Sequence, residues 1–325
     1  MDVRNILYAT DFSPSAELAF AHATDFARRL GARLHMLHVV ALHSDVPYDP
    51  MFYSPATDEA YARAEMTALR GLQELAASPA ATGVDVLPVV LRSPFPGTAI
   101  VEYAQRNASD LVVMGTHGRR GPSRLLLGSR AEEVLRHAPC PVLTLRDAED
   151  GRVAKRAVPP RCILVPFDFA PPSRKALSTA AALARHCGAR LRLLHVMDEL
   201  PLVDVAGGVA VVEASAEREQ RLARLRLRLN DVVAYLASDV GTTIDLRVGR
   251  PAAEILRASE EPSVDLVVMA TRAETGIKRV LFGSIAEEVM RLVSAPLLIV
   301  KPGPVYAAAT VPATSTARAA PPAMW

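Results

Sequence analysis

Asp110-Leu-Val-Val-Met-Gly-Thr-His-Gly118, followed nine residues later by Gly128-Ser129, is the stretch that decides how the rest of the chain reads. Asp110 to Met114 is short, branched and nearly all apolar, as a strand buried on both faces of a parallel sheet is. A loop with Gly115, Gly118 and Gly121 follows it. Gly128-Ser129 then opens an amphipathic helix with Ala131, Val134 and Leu135 on one face and Glu132, Glu133 and Arg136 towards water. A strand, a glycine-rich loop and a helix start together suit phosphate. Glycines let the main chain approach an anion, and the first helical turn offers unpaired N–H groups and positive dipole.

The spacing narrows the reading. No Gly-Lys-Ser/Thr occurs, so this is not a Walker P-loop, and the glycines are too widely set for a Rossmann fingerprint. Gly115-x-x-Gly118, nine residues, then Gly128-Ser129, flanked by Thr116-His117-Gly118-Arg119-Arg120-Gly121 and Arg124-Leu-Leu-Leu-Gly-Ser129, resembles the nucleotide-binding pattern of the universal stress protein family.

Internal repetition is plain outside this stretch. Ile6-Leu-Tyr-Ala-Thr-Asp11 returns as Ile163-Leu-Val-Pro-Phe-Asp168, and Gly31-Ala-Arg-Leu34 as Gly188-Ala-Arg-Leu191, both displaced by 157 residues. Asp110-Leu-Val-Val-Met114 returns as Asp265-Leu-Val-Val-Met269, and Gly128-Ser129 as Gly283-Ser284, displaced by 155. A whole domain is duplicated, with a net change of two residues between Val39 and Asp110. The boundaries expected are residues 1–147 and 161–302, a charged, proline-ended linker over 148–160, and a disordered Ala/Pro/Thr/Ser tail over 303–325.

In the first copy, strands are expected near 5–10, 33–40, 84–91, 110–115 and 141–146, and helices near 14–30, 57–78, 97–107 and 129–138. Ser13-Pro14 and Gly31 supply the start and stop of the first helix. The second copy's long helix carries Leu222, Leu225, Leu229, Val232 or Val233, and Leu236 on one stripe. Alternation of strand and helix gives an α/β fold: two tandem doubly wound parallel-sheet domains. The resemblance implies the adenine nucleotide alpha hydrolase-like type, with strand order 3-2-1-4-5. The switch point then falls between strands 1 and 4, where Asp11 and Met114-Gly115 end their strands. The apolar last strands, 141–145 and 296–300, need a cover. Family members commonly pair through that strand, which implies an internal pseudo-dimer, and two chains would fit a homodimer.

Composition excludes several classes. The chain has 325 residues, half of them apolar, and a net charge of +2 from 37 basic and 35 acidic residues. That balance makes no case for nucleic acid. No apolar run reaches membrane-spanning length and the start lacks a signal peptide's core. Cys140, Cys162 and Cys187 form no C-x-x-C, which suits idle thiols in a reducing compartment. A soluble, cytoplasmic protein is expected.

The resemblance implies ATP, with Mg²⁺ as its usual companion. The phosphates would lie over Gly115 to Gly118, Arg119, Gly128, Ser129 and Arg130, with main-chain N–H groups of Gly128, Ser129 and Arg130 donating. Asp11 and Val39 fall at the family's adenosine-contacting positions, Met114 matches the residue just before the first glycine, and Thr10, in the intact Thr10-Asp11-Phe12-Ser13, joins the candidate binding residues. Arg120 and Arg124 stand near enough to screen charge. The second copy has Ala270-Thr-Arg-Ala273 where the first has Gly115-Thr-His-Gly118, so a single intact site is expected, in the first copy. His38 and His195, ending strand 2 in each copy, read as packing or hydrogen-bonding residues, and His22, His35 and His43 form no metal set. No Ser-His-Asp or Cys-His pairing and no catalytic base emerge. The family implies a nucleotide-responsive regulatory or protective stress protein. The alternatives are a slow ATPase or phosphoryl-transfer enzyme, with Asp11 as its metal-associated carboxylate, and a nucleotide-free interaction module.

Overall fold

The computed structural model describes residues 3–42, 55–116, 127–146, 158–197, 215–271 and 282–301. The glycine loop with Gly118, Arg119, Arg120, Gly121 and Arg124, its counterpart with Ala273, most of the expected linker and the whole expected tail lie outside these residues.

The first half runs β1 (Asn5–Ala9), α1 (Pro14–Leu30), β2 (Arg33–Ala41), α2 (Pro55–Ala76), β3 (Val86–Ser93), α3 (Pro96–Arg106), β4 (Leu111–Gly115), α4 (Ser129–His137) and β5 (Val142–Leu145). The second repeats it as β6 (Cys162–Pro166), α5 (Pro171–Cys187), β7 (Arg190–Met197), α6 (Ser215–Leu236), β8 (Thr242–Val248), α7 (Pro251–Glu260), β9 (Leu266–Ala270), α8 (Ser284–Leu292) and β10 (Leu297–Val300). Their limits differ from the expected ones by a residue or two, as frayed ends do. Local chemistry sets the punctuation. Ser13 caps α1 and Pro14 opens it, while Gly31 at φ 64° and Gly188 at φ 68° close α1 and α5 in the left-handed region that glycine enters without strain.

All ten strands form one sheet, in the order β3-β2-β1-β4-β5-β10-β9-β6-β7-β8. Each half therefore has the order 3-2-1-4-5. Within a half every pairing is parallel. One face is covered by α1, α2, α5 and α6 through Phe20, Leu72, Leu177 and Leu229. The other is covered by α3, α4, α7 and α8 through Ile100, Val134, Ile255 and Val289. Both apolar layers run through both halves, so the central strands are buried from two sides and read as continuous apolar runs.

The two-residue difference between the halves divides into single steps. Leu34 pairs with Val86 and Leu191 with Thr242, so the displacement is 157 on β2 and 156 on β3. It falls to 155 at α3, since Pro96 corresponds to Pro251. One residue is lost before β8 and another in the turn after it, where Gly249 takes φ 148°.

At the seam β5 and β10 run antiparallel, with Leu143 opposite Leu298 and Val142 opposite Ile299. Neither strand is an open edge. Two buried cations lock the pair. Arg146, just past β5, donates to the Arg291 carbonyl of α8 at 2.6 Å. Lys301, just past β10, donates to the Leu135 carbonyl of α4. Each satisfies a carbonyl in the last turn of the other half's helix, where positive charge suits the dipole. Burial lowers the Lys301 ammonium to about 8. Arg136, expected in water, instead lies 4.8 Å from the Phe282 ring centre and ties α4 to the residue preceding Gly283.

Candidate functional site

The turn from β1 into α1 is built by its own side chains. The Thr10 amide donates to the Leu37 carbonyl at 2.9 Å, tying the end of β1 to β2. The Thr10 hydroxyl accepts from the Phe12 amide at 3.0 Å. Asp11 Oδ1 accepts from the Ser13 amide at 3.1 Å. Phe12 is thereby held at φ 60°, a strained setting for a bulky residue. The helix cap is Ser13, whose Oγ accepts from the Ala16 amide at 3.4 Å. Asp11 thus shapes the turn and leaves the capping to its neighbour. His38 completes the clamp: its Nδ1–H donates to the Thr10 carbonyl at 2.8 Å. His195 does the same to the Phe167 carbonyl at 2.7 Å, so both histidines serve the hydrogen-bonding role expected of them.

Across the switch point, Ala9 lies beside Met114 in register. A Cβ on Gly115 would stand 2.4 Å from Ser15 Oγ and 2.9 Å from the Ala16 amide nitrogen. Glycine is required there because the first turn of α1 presses on β4. Positive φ is not the reason. Beyond it, the buried Thr116 donates its amide to the Leu145 carbonyl at 2.8 Å and accepts from the Gly128 amide at 3.0 Å. That bond draws the two ends of the glycine loop together at the start of α4.

It also corrects one expectation. The Gly128 N–H is committed to Thr116 and does not face a ligand. Gly128, at φ −64° and ψ 142°, is the N-cap of α4 and carries no side chain to cap it. Ser129 and Arg130, both exposed, occupy the first helical positions, where N–H groups have no intrahelical partner. The carboxyl ends of β1 and β4 and this uncapped helix start therefore border one crevice.

The crevice has an apolar floor. Ala9, Val39, Leu91 and Met114 all belong to the sheet face that packs on α3 and α4. Ala9 and Met114 are buried, whereas Val39 and Leu91, paired in register on β2 and β3, are half-exposed. Thr10, Asp11, Val39, Met114, Gly115, Gly128, Ser129 and Arg130 are thus gathered on one edge. Gly118 and Arg119 fall outside the described residues.

The second half keeps the frame and changes the lining. Asp168 Oδ1 accepts from the Ala170 amide at 3.0 Å, and Phe169 sits at φ 64°, as Phe12 does. Ala270 replaces Gly115 on β9. Arg247 replaces Leu91, opposite Val196 in register. Arg247 belongs to an ion network: it reaches Asp245 at 3.1 Å and Glu261 at 2.6 Å, and Arg192 reaches Asp245 at 2.6 Å. Hydrogen bonds from Arg192 and Arg247 hold the Glu261 carboxyl down at about 2. An apolar wall has become a charged one. On the opposite face, Gly71 lies against the Phe12 ring, with a notional Cβ 3.0 Å from it. Its counterpart Arg228 stacks over Phe169 at 4.3 Å.

The remaining candidates resolve simply. Cys140 and Cys162 are buried, Cys187 is half-buried, and none is in a disulfide. Burial pushes the Cys140 thiol up to about 12. His35 bonds the Tyr103 hydroxyl at 2.8 Å. Among the described residues no group of three His, Cys, Asp or Glu side chains could hold a metal, and no helix is long and apolar enough to cross a membrane. Sequence reasoning gave His38 a hydrogen-bonding role without naming Thr10 as its partner, and it missed the seam cations. The histidine repeated at the end of strand 2 was the signal for that role.

Comparison with known proteins agrees with this architecture. The family model described as "Universal stress protein family" matches residues 2–146 and again 160–301. A putative universal stress protein of Staphylococcus haemolyticus is 33% identical over 148 residues, which is 45% of this chain and 86% of the relative. A universal stress protein of Mycobacterium bovis is 27% identical over 216 residues, 66% of this chain and 68% of that one. The crystal structure of a universal stress protein from Archaeoglobus fulgidus shares the fold, with a TM-score of 0.64 at 20% identity, covering 93% of this chain and all of that one. With two matches that together span most of its length, the chain belongs to the universal stress protein family, in tandem form.

Proposed function

We propose that this protein binds ATP in its first half, with one intact site per chain, and acts as a nucleotide-responsive regulatory or protective stress protein in the cytoplasm. One observation carries the reading: the uncapped start of α4 at Gly128-Ser129 meets the ends of β1 and β4 over an apolar floor. The N–H groups of Ser129 and Arg130 suit phosphate oxygens, with Arg130 and Arg119 adding charge. Gly115 lets the first turn of α1 close on the end of β4, which brings the β1 turn up to the crevice. Asp11 presents a carboxylate beside a ribose hydroxyl, with Thr10 holding its turn, and Val39 and Met114 border the base. Mg²⁺ would travel with the triphosphate.

The second half has Ala270 and Ala273 in place of Gly115 and Gly118, although Gly283 is kept, and has a charged wall, so it takes ATP weakly. Nucleotide is then a conformational ligand that favours one arrangement of the crevice. Pairing of two chains into a larger particle would use a surface other than β5 and β10, which are bonded to each other. Equilibrium dialysis tests the reading, with one ATP per chain expected. Gly118→Val should abolish binding while the circular dichroism spectrum stays unchanged. Two equivalent sites per chain, or full affinity in that variant, would refute it.

A further inference from the structure

We propose that Phe95 is the platform on which the base of the bound nucleotide stacks. The inference rests on the nucleotide reading above and adds a residue that sets preference for a nucleoside over bare phosphate.

Phe95 breaks two local rules at once. It is the N-cap of α3, where Ser, Thr, Asp or Asn would bond the first turn, and it makes no side-chain cap bond. It also leaves 64% of its surface in water. Among the described residues, the other exposed large apolar side chains of the first half, Met66, Leu69 and Leu87, lie on the body of α2 or at the start of β3. Phe95 alone stands at the carboxyl ends of the strands, the edge that bears the crevice. A residue that forgoes capping and desolvation together fits a ligand-contacting role better than a structural one.

Its place is fixed. Ser93 ends β3 opposite Ala41, and the Ser93 carbonyl accepts from the Leu42 amide at 3.0 Å. The Ser93 hydroxyl accepts from the Phe95 amide at 3.0 Å, and the Phe95 carbonyl starts α3 by accepting from Ala99 at 3.0 Å. The half-exposed pair Val39 and Leu91 lies two residues before Ala41 and Ser93 on the face toward α3. From β4, beside the start of α4, to β3 is three strand spacings, about 14 Å. That distance matches an extended nucleotide running from its terminal phosphate at Ser129 to its base beyond Val39. Phe95 stands at the far end of that run.

The second half supports the assignment by contrast. Arg250 is the N-cap of α7 at the position of Phe95, and Arg247 stands where Leu91 does. The aromatic and the aliphatic wall are lost together, in the half where alanine replaces Gly115 and Gly118.

The test is calorimetric titration of the full chain with ATP and, separately, with inorganic tripolyphosphate. Phe95→Ser should weaken ATP by about tenfold. It should leave tripolyphosphate affinity unchanged and the melting temperature equal or higher, because serine caps α3. A second variant, Phe95→Trp with Trp325→Phe, should show tryptophan quenching by ATP and none by tripolyphosphate. If the unaltered chain binds ATP while Phe95→Ser binds it equally well, or if the tryptophan is not quenched, the platform is overturned and the nucleotide reading stands. If the unaltered chain binds no ATP, both fall. Unchanged ATP affinity with altered self-association would assign Phe95 to a protein contact and overturn the platform.

Discussion

Asp265 stands at the start of β9 and uses one oxygen to join two strands: Oδ2 accepts from the Cys162 amide at 3.0 Å and from Arg161 at 2.9 Å. Asp110 does the same for Asn5 at 3.0 Å and Arg4 at 2.8 Å. The repeated aspartate at the head of the fourth strand is thus a bracket at the opposite end of the sheet from the crevice. Replacing either by Ala removes the acceptor from two amides, and the buried Asp265 has less water to replace it. Asp265→Ala should cost about 2–3 kcal/mol and Asp110→Ala less, measured by urea unfolding.

Gly115 tests the close approach of α1. Gly115→Ala places a methyl against the backbone of Ala16, which has to move. A loss of about 1–3 kcal/mol is expected. Ala270→Gly, at the matching position of β9, should cost no more than about 1 kcal/mol. Equal losses in thermal melts would show that α1 and α5 sit alike.

The helix starts give a matched pair. Ser13 caps α1, while Ala170 stands at the N-cap of α5 with no cap bond. Ser13→Ala should destabilise by about 1 kcal/mol and Ala170→Ser should stabilise by roughly half to one. Calorimetric melting of both variants checks the sign.

His22 supplies a pH dependence. It is 4% exposed, and burial lowers its imidazole to about 4 from 6.5. The folded state keeps it neutral while the unfolded chain takes up a proton, so stability is present above pH 6.5 and is lost as pH falls toward 4. Between pH 7 and 4.5 the unaltered chain should lose about 2–3 kcal/mol more than His22→Leu. Parallel urea curves at the two pH values would contradict this.

The fold was legible in the sequence for physical reasons. Leu111 to Met114 and Ile163 to Val165 are buried from both faces, so their apolar runs carry no alternation that could mislead. Gly31 and Gly188 each end a helix as their position suggests. Alternation and handedness pointed to parallel sheets with few possible topologies, and the strand order itself came from the family resemblance. The crevice was only partly legible. Gly128-Ser129 was visible through its spacing, and Asp11 and Met114 through the family resemblance, but the commitment of the Gly128 amide to Thr116 depends on where a loop closes. Arg136 looked solvent-facing because helical periodicity describes one helix and cannot see Phe282 arriving from the other half. Arg146 was read only as the end of a strand and Lys301 was given no role, since a bond to a carbonyl more than a hundred residues away leaves no local trace.

The antiparallel bond between β5 and β10 has an evolutionary corollary. In a two-fold pair of separate subunits, each inherited change appears on both sides of the axis. Here the two units share one polypeptide, so a change in one leaves its counterpart untouched. Leu91 against Arg247 and Gly115 against Ala270 are such one-sided differences, which a pair of identical subunits could not hold.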